Sequence, residues 1–309
     1  MAGTGANRIG AAFLGRFLRR LDGQRPVAYV ASPTWVNYQP LFENAGFQVR
    51  TYDHLLPGTR ESNIAAARKT MLEAPPKSVF ILQACCHNPT GIDFSLAEWK
   101  ELATIMSERR HFAFFDAAYL GFSSAKGMVE ADAQPIRYFA ELDVDMLVCQ
   151  SFSKNLGLYS ERVGALHVLC ATKAITENVL DQMRAQIRWE VSSSPAWGAR
   201  LATIVMQDKQ LSIEWVQELR EAVLRMENNR RKLYHLLTQT LTTPGSWEHI
   251  INSKGLFVLL DLSSSQIEEL IIKHHIYLPP NGRINVAGLS HSNIERTARA
   301  LDAVVRSHE

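Results

Sequence analysis

Short apolar runs, each ending in a polar loop, recur through the first two-thirds of this sequence, with helix-like segments between them. Val27-Ala28-Tyr29-Val30, Phe47-Gln48-Val49-Arg50-Thr51, Ser78-Val79-Phe80-Ile81-Leu82-Gln83, His111-Phe112-Ala113-Phe114-Phe115 and Met146-Leu147-Val148-Cys149 read as strands, as does 163–169. Residues 63–72 and 96–109 read as helices, with Ser95 as the N-cap of the second. Strands that are apolar on both faces need cover on both faces, and the intervening helices supply it. The expectation is an α/β fold, a mainly parallel sheet in three α/β/α layers. An amphipathic helix opens the chain, with Ile9, Phe13, Phe17 and Leu21 at helical spacing among Arg16, Arg19 and Arg20.

Past about Leu211 the pattern changes. A charged helical stretch at 214–237 leads into a short strand at 256–260 and helices at 265–273 and 293–307. The expected division is a large domain over 1–208, then a connecting helix and a smaller α+β domain over 209–309.

The 309 residues are 46% hydrophobic and 21% charged, enough to bury a sizeable core. A net charge of +2 without a basic block argues against a nucleic-acid partner. No apolar run approaches membrane-spanning length, so no membrane partner is expected. Cys85, Cys86, Cys149 and Cys170 lack a CxxC spacing, and His87 alone makes no zinc site, so no metal is expected. Three of the four lie in or at the end of apolar runs, as buried reduced thiols do. With no signal-peptide pattern at the start, a cytoplasmic location is expected, mitochondria remaining open.

The loops after the strands carry the chemistry, because ligands in open α/β sheets bind outside the carboxyl ends of strands. Lys154 lies in Ser151-Phe152-Ser153-Lys154-Asn155, after the 146–149 strand. A partly desolvated lysine there can lose its proton and attack a carbonyl, whereas an ordinary loop lysine stays solvated. Asp116 ends the 111–115 strand and leads into Ala117-Ala118-Tyr119; it is a ligand group on the same edge or a turn residue. Asn88 belongs to His87-Asn88-Pro89-Thr90-Gly91, and Trp35 to Ser32-Pro33-Thr34-Trp35, both following strands. Gly3-Thr4-Gly5 ahead of a helix is a phosphate cradle or a simple helix start. Arg162, Arg188 and Arg283 are candidates for carboxylate or phosphate binding against a background of ordinary surface arginines. Ser151 to Lys154 also fits S-x-x-K of serine acyl-transfer enzymes, but the companion S-D-N and K-T-G strings do not occur.

Taken in order, these motifs, with Gly282-Arg283-Ile284-Asn285, closely resemble the class I, fold-type I pyridoxal-phosphate aminotransferases, and among them the eukaryotic-type aspartate aminotransferases. The resemblance runs through essentially the whole chain. It implies pyridoxal 5'-phosphate as cofactor, with transamination between L-aspartate and 2-oxoglutarate giving oxaloacetate and L-glutamate. It implies that Lys154 joins the cofactor aldehyde and later moves a proton, and that Asp116 pairs with the ring nitrogen. Tyr119 and Asn88 would hydrogen-bond the ring oxygen, and Trp35 would stack on the ring. Gly3, Thr4, Ser151, Ser153 and Arg162 would hold the phosphate. Arg283 would clamp the substrate α-carboxylate, with Trp35 and Asn88 beside it. Arg188 would reach the second carboxylate across a homodimer. Three departures stand out. Position 2 is Ala where Ser is common, and Tyr38 stands where His is common. Family members also carry a stretch ahead of the glycine turn that supplies a dimer arm, part of the small domain and a phosphate-contacting tyrosine. Two other readings stand beside the main one: an impaired homologue acting as a binding partner, and an aromatic amino-acid aminotransferase.

Overall fold

A computed structural model of the chain describes residues 1–18, 24–126 and 128–308. Leu21, Arg19 and Arg20 of the expected amphipathic stripe lie outside the described residues. The elements run α1 (Ala2–Phe17), β1 (Val27–Ser32), α2 (Tyr38–Glu43), β2 (Gln48–Asp53), α3 (Ile64–Glu73), β3 (Val79–Gln83), α4 (Leu96–Arg109) and β4 (Phe112–Ala117). Next come α5 (Met128–Asp132), α6 (Gln134–Glu141), β5 (Met146–Ser151), β6 (Gly164–Val168), α7 (Lys173–Val191), α8 (Trp197–Gln207) and α9 (Lys209–His235). The chain finishes with α10 (Glu248–Asn252), β7 (Phe257–Leu259), α11 (Ser264–His274), β8 (Arg283–Asn285) and α12 (Ile294–Arg306).

The large sheet has the order β2-β1-β3-β4-β5-β6. Its first five strands are parallel, and β6 is antiparallel to β5. The two-residue period of a strand sorts the core into two layers. Phe80, Leu82, Ala113, Phe115 and Met146 face one way, toward α3, α4 and α6. Val79, Ile81, Phe114, Leu147 and Cys149 face the other, toward α1, α2 and α7. β3 is buried along its whole length, which is why it reads as an unbroken apolar run. Helix α1 lies close on the sheet: a Cβ on Gly10 would stand 3.0 Å from the Phe114 ring.

The last hundred residues build a two-stranded antiparallel sheet, β7-β8, packed among α9, α11 and α12. Its core continues into the segment that follows β4, so that Tyr119, Leu120 and Phe122 share one cluster with Leu219, Val258, Leu270 and Leu301. The start of α9 also grips the loop after β5, where the Trp215 indole donates to the Asn155 carbonyl at 2.6 Å. The far end of the chain therefore buttresses the loops at the carboxyl edge of the sheet.

Candidate active site

Four neighbouring strands deliver their following loops to one place. β1 leads to Thr34 and Trp35, β3 to Gln83 and Asn88, β4 to Asp116 and Tyr119, and β5 to Ser151, Ser153 and Lys154. The N-terminus of α1 adds Gly3 and Thr4, and the segment before β6 adds Tyr159 and Arg162. All of them but Thr34 line a cavity of about 140 Å³.

Asp116 lies within β4 and is 7% exposed. Its Oδ2 accepts from the Tyr38 hydroxyl at 2.8 Å and from the Asn7 amide at 3.0 Å. Oδ1 is buried and, among the described residues, has no hydrogen-bond partner of normal geometry, although the Ala118 amide lies close enough to favour the charged carboxylate. Burial pushes the carboxyl above its usual range, opposed by the Tyr38 hydroxyl, Lys154 and Asn7. A buried carboxylate with one free oxygen facing a cavity is arranged for a cationic or N–H partner. The Lys154 ammonium stands 4.8 Å from the centre of the Tyr119 ring. Burial lowers its pKa, Asp116 pulls it back up and Arg162 lowers it further, so the free amine is more accessible than in a solvated lysine.

One end of the cavity is built for an anion. The expected turn at Gly3-Thr4-Gly5 is in fact the first turn of α1, because the helix already starts at Ala2. Amides in a first helical turn lack helix acceptors and point at whatever lies beyond. The Ala2 amide is taken by the Arg162 carbonyl at 2.9 Å. Gly3 must be glycine for space, since a Cβ there would stand 2.9 Å from Ser151 Cβ. The Ser151 hydroxyl accepts from the Ser153 amide at 3.2 Å, and the Arg162 guanidinium donates to the Tyr159 carbonyl at 2.6 Å. Helix-start amides, two serines and an arginine form a donor set that complements a phosphate.

The other end is set up for a carboxylate. Arg283 donates to Asn88 Oδ1 at 2.7 Å and stacks 4.2 Å from the centre of the Phe257 ring. Asn88 donates in turn to the Tyr119 hydroxyl at 3.3 Å. Trp35 meets Tyr38 edge-on, with ring centres 5.2 Å apart. Arg283 adjoins the cavity through Asn88, whereas Arg188 does not line it. It lies exposed on α7, bonded to the Ser192 hydroxyl of its own helix end. Cys85, Cys86 and Asp132 place ligand atoms within 4.8 Å of one another, yet both sulfurs are held as thiols, Cys85 by its contact with Cys86 and by burial, Cys86 by burial against the opposing pull of Cys85 and Arg230.

Asn7, Gln83 and Tyr159 line or support the cavity without having been singled out from sequence. For Asn7 a signal existed, a polar residue one position after Ala6 and two before Ile9 on the apolar face of α1. Gln83 reads only as the end of a strand until its register with Asp116 is seen.

A free carboxylate oxygen at one side, an anion cradle at the other and a depressed lysine between them fit pyridoxal phosphate by its three functional ends: ring nitrogen, phosphate and aldehyde. Comparison with known proteins points the same way. The profile of class I and II aminotransferases matches residues 1–301. The mitochondrial aspartate aminotransferase of Dictyostelium discoideum is 40% identical over all of this chain and 70% of its own length. The cytoplasmic aspartate aminotransferase of Saccharomyces cerevisiae superposes with a TM-score of 0.94 at 34% identity, over 100% of this chain and 74% of the yeast chain. An aromatic-amino-acid aminotransferase from Burkholderia pseudomallei, covalently bound to pyridoxal phosphate, reaches 0.92 at 35% identity, over 98% and 74%. Sequence, fold and the cavity at the strand ends agree that this chain belongs to the class I and II aminotransferase family.

Proposed function

We propose that the chain is an aspartate aminotransferase, using pyridoxal 5'-phosphate to move the amino group between L-aspartate and 2-oxoglutarate. The observation that carries this reading is buried Asp116, whose Oδ1 has no hydrogen-bond partner of normal geometry among the described residues, in one cavity with a lysine whose proton is loosely held. When bound, pyridoxal phosphate supplies an aldehyde that condenses with amines and a ring that takes up the electrons released at the α-carbon.

The protein's part is binding, orientation and proton movement. Asp116 holds a ring nitrogen in its protonated form, with Tyr38 and Asn7 keeping the carboxylate charged despite burial. Gly3, Thr4, Ser151, Ser153 and Arg162 would bind the phosphate, Trp35 would cover the ring, and Tyr119 and Asn88 would donate to the ring oxygen. Lys154 would be the amine that holds the cofactor aldehyde and, once a substrate amine replaces it, the base that moves a proton at the substrate α-carbon, a task suited to an amine with a lowered pKa. Arg283 clamps the α-carboxylate, its fork already oriented by Asn88 and Phe257.

Arg188 meets the side-chain carboxylate from the neighbouring subunit of a homodimer. Support comes from its absence from the lining of its own cavity and from the exposed apolar side chains Trp189, Trp197, Ile204 and Ile213 on α7, α8 and α9. The organisation we propose is a cofactor-binding domain over 1–208 and a connecting helix with a smaller domain over 209–309. Asp208, which ends α8 and caps α9 through Leu211 N at 2.9 Å, marks the joint. A cytoplasmic location fits four free cysteines, three of them buried.

Steady-state transamination tests the substrate assignment. Aspartate with 2-oxoglutarate should turn over, and Arg188→Ala should lower kcat/KM for aspartate by about 100-fold, with little change for phenylalanine. Equal losses with both donors, or faster turnover of phenylalanine in the parent chain, would remove the dicarboxylate assignment.

A further inference from the structure

Gln83 closes β3 and stands in register with Asp116 on β4. Paired positions on neighbouring strands carry side chains on the same face. Gln83 therefore lines the same cavity as Asp116 and Lys154. Its amide is fully engaged. Oε1 accepts from the Asn88 backbone amide at 2.8 Å, while Nε2 donates to the Asn88 carbonyl at 3.1 Å and reaches Thr34 Oγ1 at 3.4 Å. Two bonds to the backbone of one residue fix both its position and its rotation. The Asn88 side chain is then left with one sensible orientation. A guanidinium only donates, so Oδ1 must face Arg283, and Nδ2 is left to face Tyr119. Thr34, the third contact, precedes Trp35 in the chain.

We infer that Gln83 is a positioning residue, which sets the Asn88 amide between Tyr119 and Arg283 and ties the Trp35 loop to it. One neutral side chain beside Asp116 thus orients both the carboxylate clamp and the face that covers the cofactor. Neutrality is part of the role. A carboxylate at this position would repel Asp116 and could not donate to the Asn88 carbonyl. The inference rests on the aminotransferase reading above.

The test compares the full parent chain with Gln83→Met, which keeps the volume without hydrogen bonds, and Gln83→Glu, which keeps only the acceptor. Pyridoxal phosphate affinity is read by absorbance titration, alongside KM and kcat for aspartate and 2-oxoglutarate across pH, and the thermal midpoint. Gln83→Met should raise KM for both substrates about tenfold and weaken cofactor binding, with a smaller change in kcat, as loss of two hydrogen bonds implies. Gln83→Glu should show the same defect at about pH 8. It should recover in part near about pH 6, where a buried carboxyl beside Asp116 takes up a proton and can donate again. Gln83→Met should show no such recovery. If both variants lose only thermal stability while KM and cofactor affinity stay at parent values, or if Gln83→Glu follows Gln83→Met at every pH, the inference is overturned. A parent chain that takes up no pyridoxal phosphate overturns the functional reading and this inference with it. A parent chain that does, with variants equal to it, overturns this inference alone.

Discussion

Asp116 needs more support than most buried carboxylates, because its site must stay charged with one oxygen left open. Tyr38 supplies the strongest single hydrogen bond, a phenol at 2.8 Å that is itself 1% exposed, and Asn7 adds a second. The Tyr38 hydroxyl is held well above its ordinary pKa, first by burial and then by Asp116, so it remains a donor at any working pH. Asp116→Asn should therefore keep the fold yet lower kcat by about 100-fold or more, the scale of one charge-stabilising contact in a dry site. Rapid-mixing kinetics with aspartate would show this; a loss under about threefold would deny the carboxylate its role. Tyr38→Phe should leave Oδ2 with Asn7 alone and lower stability by about 1–3 kcal/mol, measured by urea unfolding. At this scale the sequence was legible where motifs name residues. Lys154, Asp116 and Asn88 could be read from their loops. Gln83, Asn7 and the engagement of Tyr38 with Asp116 depend on strand register and helix docking, which join residues 78 and 109 positions apart in the case of the Asp116 donors.

The strands and helices that could be read were those buried on the side facing the sheet. β3, β4 and β5 appear within one or two residues of their apolar runs, and α4 starts at Ser95 with the full capping box that Glu98 completes. Ser95→Ala should cost about 1 kcal/mol of unfolding free energy, and no change in a denaturant midpoint would rule out that cap. The α7 and α8 helices gave no clear signal. Ile175, Leu180, Trp189, Trp197, Ile204 and Met206 point outward, so their apolar residues form no single inward stripe. β8 spans only Arg283–Asn285, too short to show a period. The glycine turn read as a loop before a helix because Gly3 and Gly5 are poor helix formers, but space beside Ser151 fixes glycine at position 3.

Over the whole molecule, one hydrophobic cluster runs from the segment after β4 into α9, α11 and α12, so loosening the C-terminal unit also loosens Tyr119 and its neighbours. Buried histidines, His54 and His249 among them, make the structure sensitive to acid. Burial lowers the pKa of His54 and of His249 to about 4. Each is neutral when folded and protonates more readily when unfolded, so the stability it contributes is present above about pH 6.5 and lost as pH falls toward 4. For His54 the loss is about 3 kcal/mol, and His54→Asn should flatten the fall in unfolding free energy between about pH 6.5 and 4. The central claim is that Lys154 is the amine that holds pyridoxal phosphate. Its most direct test adds the cofactor to the parent chain and to Lys154→Ala, follows absorbance at the visible edge, then reduces with borohydride and maps peptides by mass. The parent should gain a visible band and carry the pyridoxyl mass on the peptide containing Lys154, while Lys154→Ala gains neither. A band and label of equal size in both proteins, or a label on a different lysine of the parent, would contradict the account.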